Sequence, residues 1–442
     1  MMFMIFIDRL FLSWYATESL NASVQAGTLA WGIVLGWLTM ASMSEVFVAR
    51  FNGAKKFDMV AKPVWQMLWL TIASWIFYIP LAFWGTPLIY DPILRPEEFH
   101  YFRIFMFCGP VFSLVPAIGG FFIGRGKTQI LQWMAVLGNV INIILDPIFI
   151  FGIDGFFPSM GIKGAAIATG IGTLIQGVVL FFFFIQKKYR EKYQTTNYSF
   201  NKQIFLKTVR VGLPPSFLVC FEVLGWALFY HLMATISGLH ILVASICQSI
   251  FLLFIFFGMG IEKGAIALAG NFIGANEHQK IPGVLYSGIK LLGIYGIFII
   301  LLFIVYPDPL INWFFYNPES LEYASSFSGI ELSDVKNHIR IGLFFSTFLI
   351  FFENLRWVLN GILTAAGDTL FLLLSGAFNV WFVLLIPTYF FVVLPKADIS
   401  YAFLIWMIYG FFSAALIFLR FLQGKWKNTE VIVPKPEISY EP

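Results

Sequence analysis

Charge is scarce in this chain: of its 442 residues only 12% are Asp, Glu, Lys or Arg, against 59% hydrophobic residues. A mean hydropathy of +0.82 describes more apolar surface than one soluble core of this length can hide from water, which excludes an ordinary globular protein. Histidine and cysteine are scarcer still, with five and three residues. Cys108, Cys220 and Cys247 stand in apolar runs without pairing or metal-ligand spacing and read as small buried hydrophobes, so neither a disulfide framework nor a thiolate metal centre is expected. So few His and Cys also leave no nucleophile and base pair, and the chain is not read as an enzyme. The apolar/polar alternation of a membrane barrel is missing, because runs such as 241–260 are apolar on every side. A basic start with a small-residue cleavage site is missing too, so no signal peptide is read.

What is present is a series of long apolar runs. Polar breaks separate them into twelve expected helices near 1–16, 29–50, 63–88, 101–124, 129–152, 163–186, 208–236, 241–274, 284–306, 340–366, 369–394 and 399–423. The first is short for a bilayer crossing of about 20 residues, so the native chain is expected to begin upstream of Met1. Lys and Arg cluster in alternate connections: Arg50 to Lys62, Arg125 and Lys127, Lys187 to Arg210, and Lys425 to Lys435. The positive-inside rule makes those connections and both termini cytoplasmic, in a multi-pass cell-membrane protein, with a bacterial inner membrane expected. The longest opposite connection, 307–339, is acidic, with Asp308, Glu319, Glu322, Glu331 and Asp334.

The two sides of the 187–207 connection resemble each other. Arg50-Phe51-Asn52-Gly53-Ala54-Lys55 matches Asn271-Phe272-Ile273-Gly274-Ala275-Asn276, Gly126-Lys127-Thr128 matches Gly367-Asp368-Thr369, and Asn139-Val140 followed by Pro147 matches Asn379-Val380 followed by Pro387. The expected fold is therefore all-α: twelve transmembrane helices in two six-helix lobes related by a pseudo-two-fold along the membrane normal. The expected divisions are an N-terminal lobe over 1–186, a cytoplasmic inter-lobe loop over 187–207, a C-terminal lobe over 208–424 and a cytoplasmic tail over 425–442. That tail is too short for a signalling domain, which argues against a sensor or receptor.

Six carboxylates interrupt the apolar runs: Asp8, Glu45, Asp146, Glu222, Glu262 and Glu353. An ionised group at bilayer depth costs at least roughly 2.5 kcal/mol, so such groups usually line a water-filled cavity or hold a cation. From a rise of about 1.5 Å per residue, Asp8, Asp146 and Thr169 all fall in the outer half of the first bundle. Asn139, Asn142 and Asp146 form one stripe on their helix, and Pro147 leaves the carbonyl of Ile143 without its helical partner. Two carboxylates, an amide, a hydroxyl and a loose carbonyl suit sodium or a shared proton; the alternative is a hydrogen-bonded knot joining helices. Glu222 and Glu353 lie near mid-depth and would tend to hold protons, unless Arg356, three residues after Glu353, neutralises it. Glu45, Glu262 and Lys263 carry no assigned role, and His231 reads as an interhelical histidine. Gly124-Arg125-Gly126-Lys127-Thr128 has the ending of a phosphate-binding loop, but Phe121 stands where the first glycine is required and no strand precedes it, so it reads as a turn.

These residues also carry a family resemblance. Asp8-Arg9, the run from Asn142 through Asp146-Pro147 to Gly152, and Gly161 to Thr169 with Gly164-Ala165-Ala166-Ile167-Ala168-Thr169 resemble the multidrug and toxic compound extrusion (MATE) family of the MOP flippase superfamily. The resemblance implies an antiporter that exports small organic cations by alternating access, driven by sodium or protons, with no further cofactor. It places Asp8, Asn142, Asp146 and Thr169 in the cation site, a possible sodium site. It places Glu222 and Glu353 among residues for substrate or proton coupling, and Asn139, from its place on the polar stripe, is assigned to that group with them. Partners are then organic cations and membrane lipid, without nucleic acid, and a monomer is expected. The alternative is a lipid-linked oligosaccharide flippase of the same superfamily, whose phosphates would want a basic cavity; here the intramembrane carboxylates outnumber Arg9, Lys263 and Arg356.

Overall fold

The computed structural model describes residues 2–153, 155–314 and 332–428. Among the described residues eleven helices are long and apolar enough to cross a membrane, from Glu18–Gly53 to Ile399–Leu422. A shorter helix, Met2–Tyr15, precedes them. The chain is an all-α, multi-pass membrane protein.

Three connections differ from the sequence expectation. Residues 17–28, expected outside a span, are helical: Thr17–Ser42 follows the first helix after a single extended residue, Ala16. Polar residues there find partners inside the protein, Ser19 donating to Glu97 at 3.0 Å and Ser23 to the Leu20 carbonyl at 2.7 Å. The 187–207 connection contains the helix Lys187–Tyr193, and the stretch 195–201 beyond it is strapped to the Lys62–Ala73 helix. There the indole N–H groups of Trp65 and Trp69 donate to the carbonyls of Thr195 (2.8 Å) and Tyr198 (3.0 Å), and the Asn201 amide donates to Gln66 Oε1 (3.0 Å). The 307–339 connection is helical at both ends, over Asp308–Phe314 and from Leu332 onward, and Asp308 pairs with Arg340 at 2.7 Å. Glu319, Glu322 and Glu331 lie outside the described residues.

The chain forms two compact units, Met1–Cys220 with Gly274–Asn276, and Phe221–Ile273 with Glu277–Pro442. In the first, Ala22, Ala26, Ala30 and Val34 make a small-residue ridge, four residues apart, on Thr17–Ser42; it packs in a core with Phe102, Phe105 and Met106. Small ridges let membrane helices approach closely, which replaces the hydrophobic drive that lipid cannot supply. Gly164 does the same between Ile162–Phe184 and Gln129–Ile150. A methyl there would lie 2.5 Å from the Phe149 carbonyl, so any side chain would part these two helices. The second unit is built around Phe229, Met233, Leu343, Phe403, Trp406 and Tyr409.

The internal resemblance extends to the backbone. Lys55 and Asn276 both adopt positive φ, 58° and 59°, and so do Gly126 and Gly367 at 69° and 81°. Leu81–Gly85 and Leu301–Val305 are both π-helical turns, at the same offset of about 220 residues as the Gly53 and Gly274 motifs. Of the cysteines, Cys247 is buried, Cys108 half-buried and Cys220 exposed, so the expectation of three buried thiols holds fully for Cys247 alone.

Candidate cation site

Three helices of the first unit bring four polar side chains together. Met2–Tyr15 supplies Asp8, Gln129–Ile150 supplies Asn142 and Asp146 one turn apart, and Ile162–Phe184 supplies Thr169. All four are buried. The close approach at Gly164 holds the latter two helices together, and Thr169 lies five residues along from it.

The Asn142 amide nitrogen is the hub. It lies 3.0 Å from Asp8 Oδ1, 3.2 Å from Asp146 Oδ1 and 3.3 Å from Thr169 Oγ1, while Thr169 donates to Asp8 Oδ2 at 2.7 Å. Two amide hydrogens face three oxygens, so at least one of these contacts is shared or weak. Asn142 Oδ1 and Asp146 Oδ2 are buried and accept no hydrogen bond from a neutral donor, while Asp8 and Asp146 lie within hydrogen-bonding reach of each other, so a single proton between them would join the two carboxyls. A half-turn of the Asn142 amide would exchange nitrogen for oxygen and complete an all-oxygen set of two carboxylates, one carbonyl and one hydroxyl. Such a set fits a hard monovalent cation, or a proton shared between the carboxylates. Among the described residues no ion pair engages Asp8 or Asp146. A small cavity of about 10 Å³, bounded by Asp8, Arg9, Ser23, Gly27, Trp31 and Tyr101, adjoins the cluster; it is about the size of one water.

In the second unit Glu222, on Lys202–Ile236, and Glu353, on Leu332–Ala366, converge on one guanidinium. Arg356 donates from Nε to Glu353 Oε1 (3.1 Å) and Oε2 (3.0 Å), from Nη2 to Glu353 Oε2 (2.6 Å), and from Nη1 to Glu222 Oε1 (3.0 Å). Its charge also lies over the Trp357 ring, 5.0 Å from the centroid. Buried Tyr409 is within electrostatic reach of all three charges. The two glutamates thus do share one place, and its formal charge with both ionised is one negative.

Asn139 is on the predicted helix but joins neither group. It is half-buried and donates to the Ala135 carbonyl of its own helix at 2.7 Å. His231 is exposed. Glu45 is fully buried, and it, Glu262 and Lys263 each have interactions of their own. Sequence reasoning missed Tyr101, Trp31 and the reach of Arg356 to Glu222. It also missed Tyr409, which the repeat offset of about 240 residues would have pointed to as the counterpart of Thr169.

A family model described as MatE matches residues 1–148 and 214–390. The chain belongs to the MatE family. The MATE resemblance read from the Asp8, Asp146-Pro147 and Gly164–Thr169 segments is thereby shown. Similar curated proteins include the probable multidrug resistance protein NorM of Thermotoga maritima, 23% identical over 96% of this chain and 89% of that one. Another is the probable multidrug resistance protein YoeA of Bacillus subtilis, 23% identical over 95% and 88%. Among solved structures, a MOP-superfamily transporter from Pyrococcus furiosus superposes with a TM-score of 0.80 at 19% identity, covering 97% of this chain and 95% of that one. An outward-facing MATE-family transporter gives 0.78, also at 19%, over 96% and 92%. These likenesses show the fold, and the MatE family makes this chain a membrane transporter.

Proposed function

We propose that this MatE-family protein exports small organic cations from the cytoplasm in exchange for sodium ions or protons, and that Asp8, Asn142, Asp146 and Thr169 hold the coupling cation. The observation that carries the reading is the buried oxygen cage, with Asp8 and Asp146 within hydrogen-bonding reach of each other and, among the described residues, no arginine or lysine paired to either carboxylate. Two adjoining carboxylates repel when both are ionised, so a metal cation or a proton stabilises the cage and its departure destabilises it. Entry from outside and release inside would drive alternating access. Coupling requires only that cation and drug favour different members of one conformational equilibrium. Glu222 and Glu353 serve the drug or a proton, with Arg356 as their internal counter-ion until a substrate cation competes for them.

The protein then acts as a monomer in a bacterial inner membrane with both termini cytoplasmic, without nucleic acid and with no cofactor beyond the coupling ion. The names of NorM and YoeA support drugs as the substrate class. Ethidium efflux from vesicles, run with a sodium gradient at fixed pH and then with a pH gradient in the absence of sodium, tests it. Accelerated efflux under at least one gradient is expected; efflux indifferent to both would end the proposal.

A further inference from the structure

Between the His278–Val305 and Leu332–Ala366 helices of the second unit lies a cavity of about 320 Å³, walled chiefly by Leu292, Gly296, Ile300, Ile304, Phe348 and Phe351. Close-packed interiors rarely leave a void larger than a water, and an apolar cavity of about 150 Å³ already binds benzene. The origin of this one is clear from the other half. Trp75, the repeat counterpart of Tyr295, packs edge-on against Phe107 of the next helix, ring centres 5.2 Å apart. Tyr295 packs instead on the preceding helix, stacked on Phe257 at 4.0 Å and donating to the Phe254 carbonyl at 2.6 Å. The space toward Phe348 and Phe351 is left unfilled.

The wall offers hydrocarbon and almost nothing else. Thr347 donates to the Leu343 carbonyl at 3.0 Å, and Asn354 presses its amide oxygen against the backbone at Gly258. Among the described residues no carboxylate lines the cavity, so an organic cation would find no counter-charge there. Ile300, Ile304, Phe348 and Phe351 on its rim are exposed, on helices long and apolar enough to span a bilayer, so the medium at the opening is lipid hydrocarbon. We propose that the acyl chain of a bilayer lipid occupies this cavity, wedged against the helix that carries Glu353 and Arg356. Phe352 lines the cavity immediately before Glu353. A chain of methylenes matches a wall that is hydrocarbon apart from Thr347, whose hydroxyl is bonded within its helix, and the amide of Asn354, whose Oδ1 and Nδ2 are buried without a hydrogen-bond partner; its occupancy would fix the spacing of the two helices.

The test uses the full-length protein in phosphatidylcholine vesicles containing a phospholipid with a photoactivatable diazirine at mid-chain, with cross-links mapped by mass spectrometry. Labelling is expected to concentrate on residues 292–304 and 347–354, in excess over the corresponding first-half stretch 72–84. A Cβ added at Gly296 meets nothing within 4 Å, so Gly296→Phe fills the cavity and should abolish the excess; Gly296→Leu serves if the larger ring prevents membrane insertion. Gly293→Phe, equally open but outside the cavity wall, should leave the excess intact. Excess labelling that survives filling at Gly296, or labelling no denser than on 72–84, would overturn the proposal. The readout involves no transport, so it stands apart from the cation reading.

Discussion

The two halves share a backbone plan and handle buried carboxylates in opposite ways. In the first, Asp8 and Asp146 are joined through a neutral amide and a hydroxyl. In the second, Glu222 and Glu353 are held by Arg356. The repeat counterparts of Asn142 and Asp146 are the apolar Phe382 and Ile386, and that helix takes a π-helical course over Asn379–Leu385 and Tyr389–Val393. A duplicated framework therefore holds one pair of carboxylates with no ion pair among the described residues and one pair that shares a single guanidinium.

That contrast predicts different responses to neutralisation. Asp146→Asn should reduce ethidium resistance and efflux to the level of cells without the transporter, while the detergent-solubilised protein melts no lower than the parent, because one of two repelling charges is gone. Normal efflux in that variant would break the comparison at its first half. Arg356→Gln should instead destabilise the protein by about 3–5 kcal/mol, since two buried carboxylates lose their partner. Adding Glu353→Gln should recover part of that loss. Thermal unfolding that is unchanged in Arg356→Gln would show that the second cluster is not held by its ion pairs. The smallest effect belongs to Asn139→Ala: with a hydrogen bond only to its own helix, it should change stability within about 0.5 kcal/mol and leave efflux intact. A large loss of transport there would enlarge the first cluster to include the whole polar stripe.

The sequence carries much of this because a membrane enforces legible rules. Apolar runs reveal the spans, since backbone groups in lipid must be satisfied by a helix, and each carboxylate within them stands out as an expense. Asn142 and Asp146 can be placed together by their spacing of one helical turn, but their meeting with Thr169 depends on Gly164 bringing two helices into contact, and their meeting with Asp8 on the packing of Met2–Tyr15 against Gln129–Ile150. The same spacing puts Asn139 on the stripe but does not fix its rotamer: its amide nitrogen turns back to the Ala135 carbonyl while its Oδ1 is buried without a partner. Connections are the least legible. Thr17-Glu18-Ser19 reads as a break if polar residues are assumed to need water, whereas Glu97 and local carbonyls satisfy the serines at 19 and 23. The indole bonds that strap 195–201 to Trp65 and Trp69 leave no periodic trace.

The most direct test of the first cluster is cation exchange on drug binding. Purified protein, loaded with radioactive sodium or held in lightly buffered solution with a pH indicator, is mixed with ethidium, and released cation is counted for the parent and for Asp8→Asn and Asp146→Asn. The account predicts release from the parent and none from either variant, with ethidium still bound. Equal release from the variants would place the exchanged cation somewhere other than between Asp8, Asn142, Asp146 and Thr169.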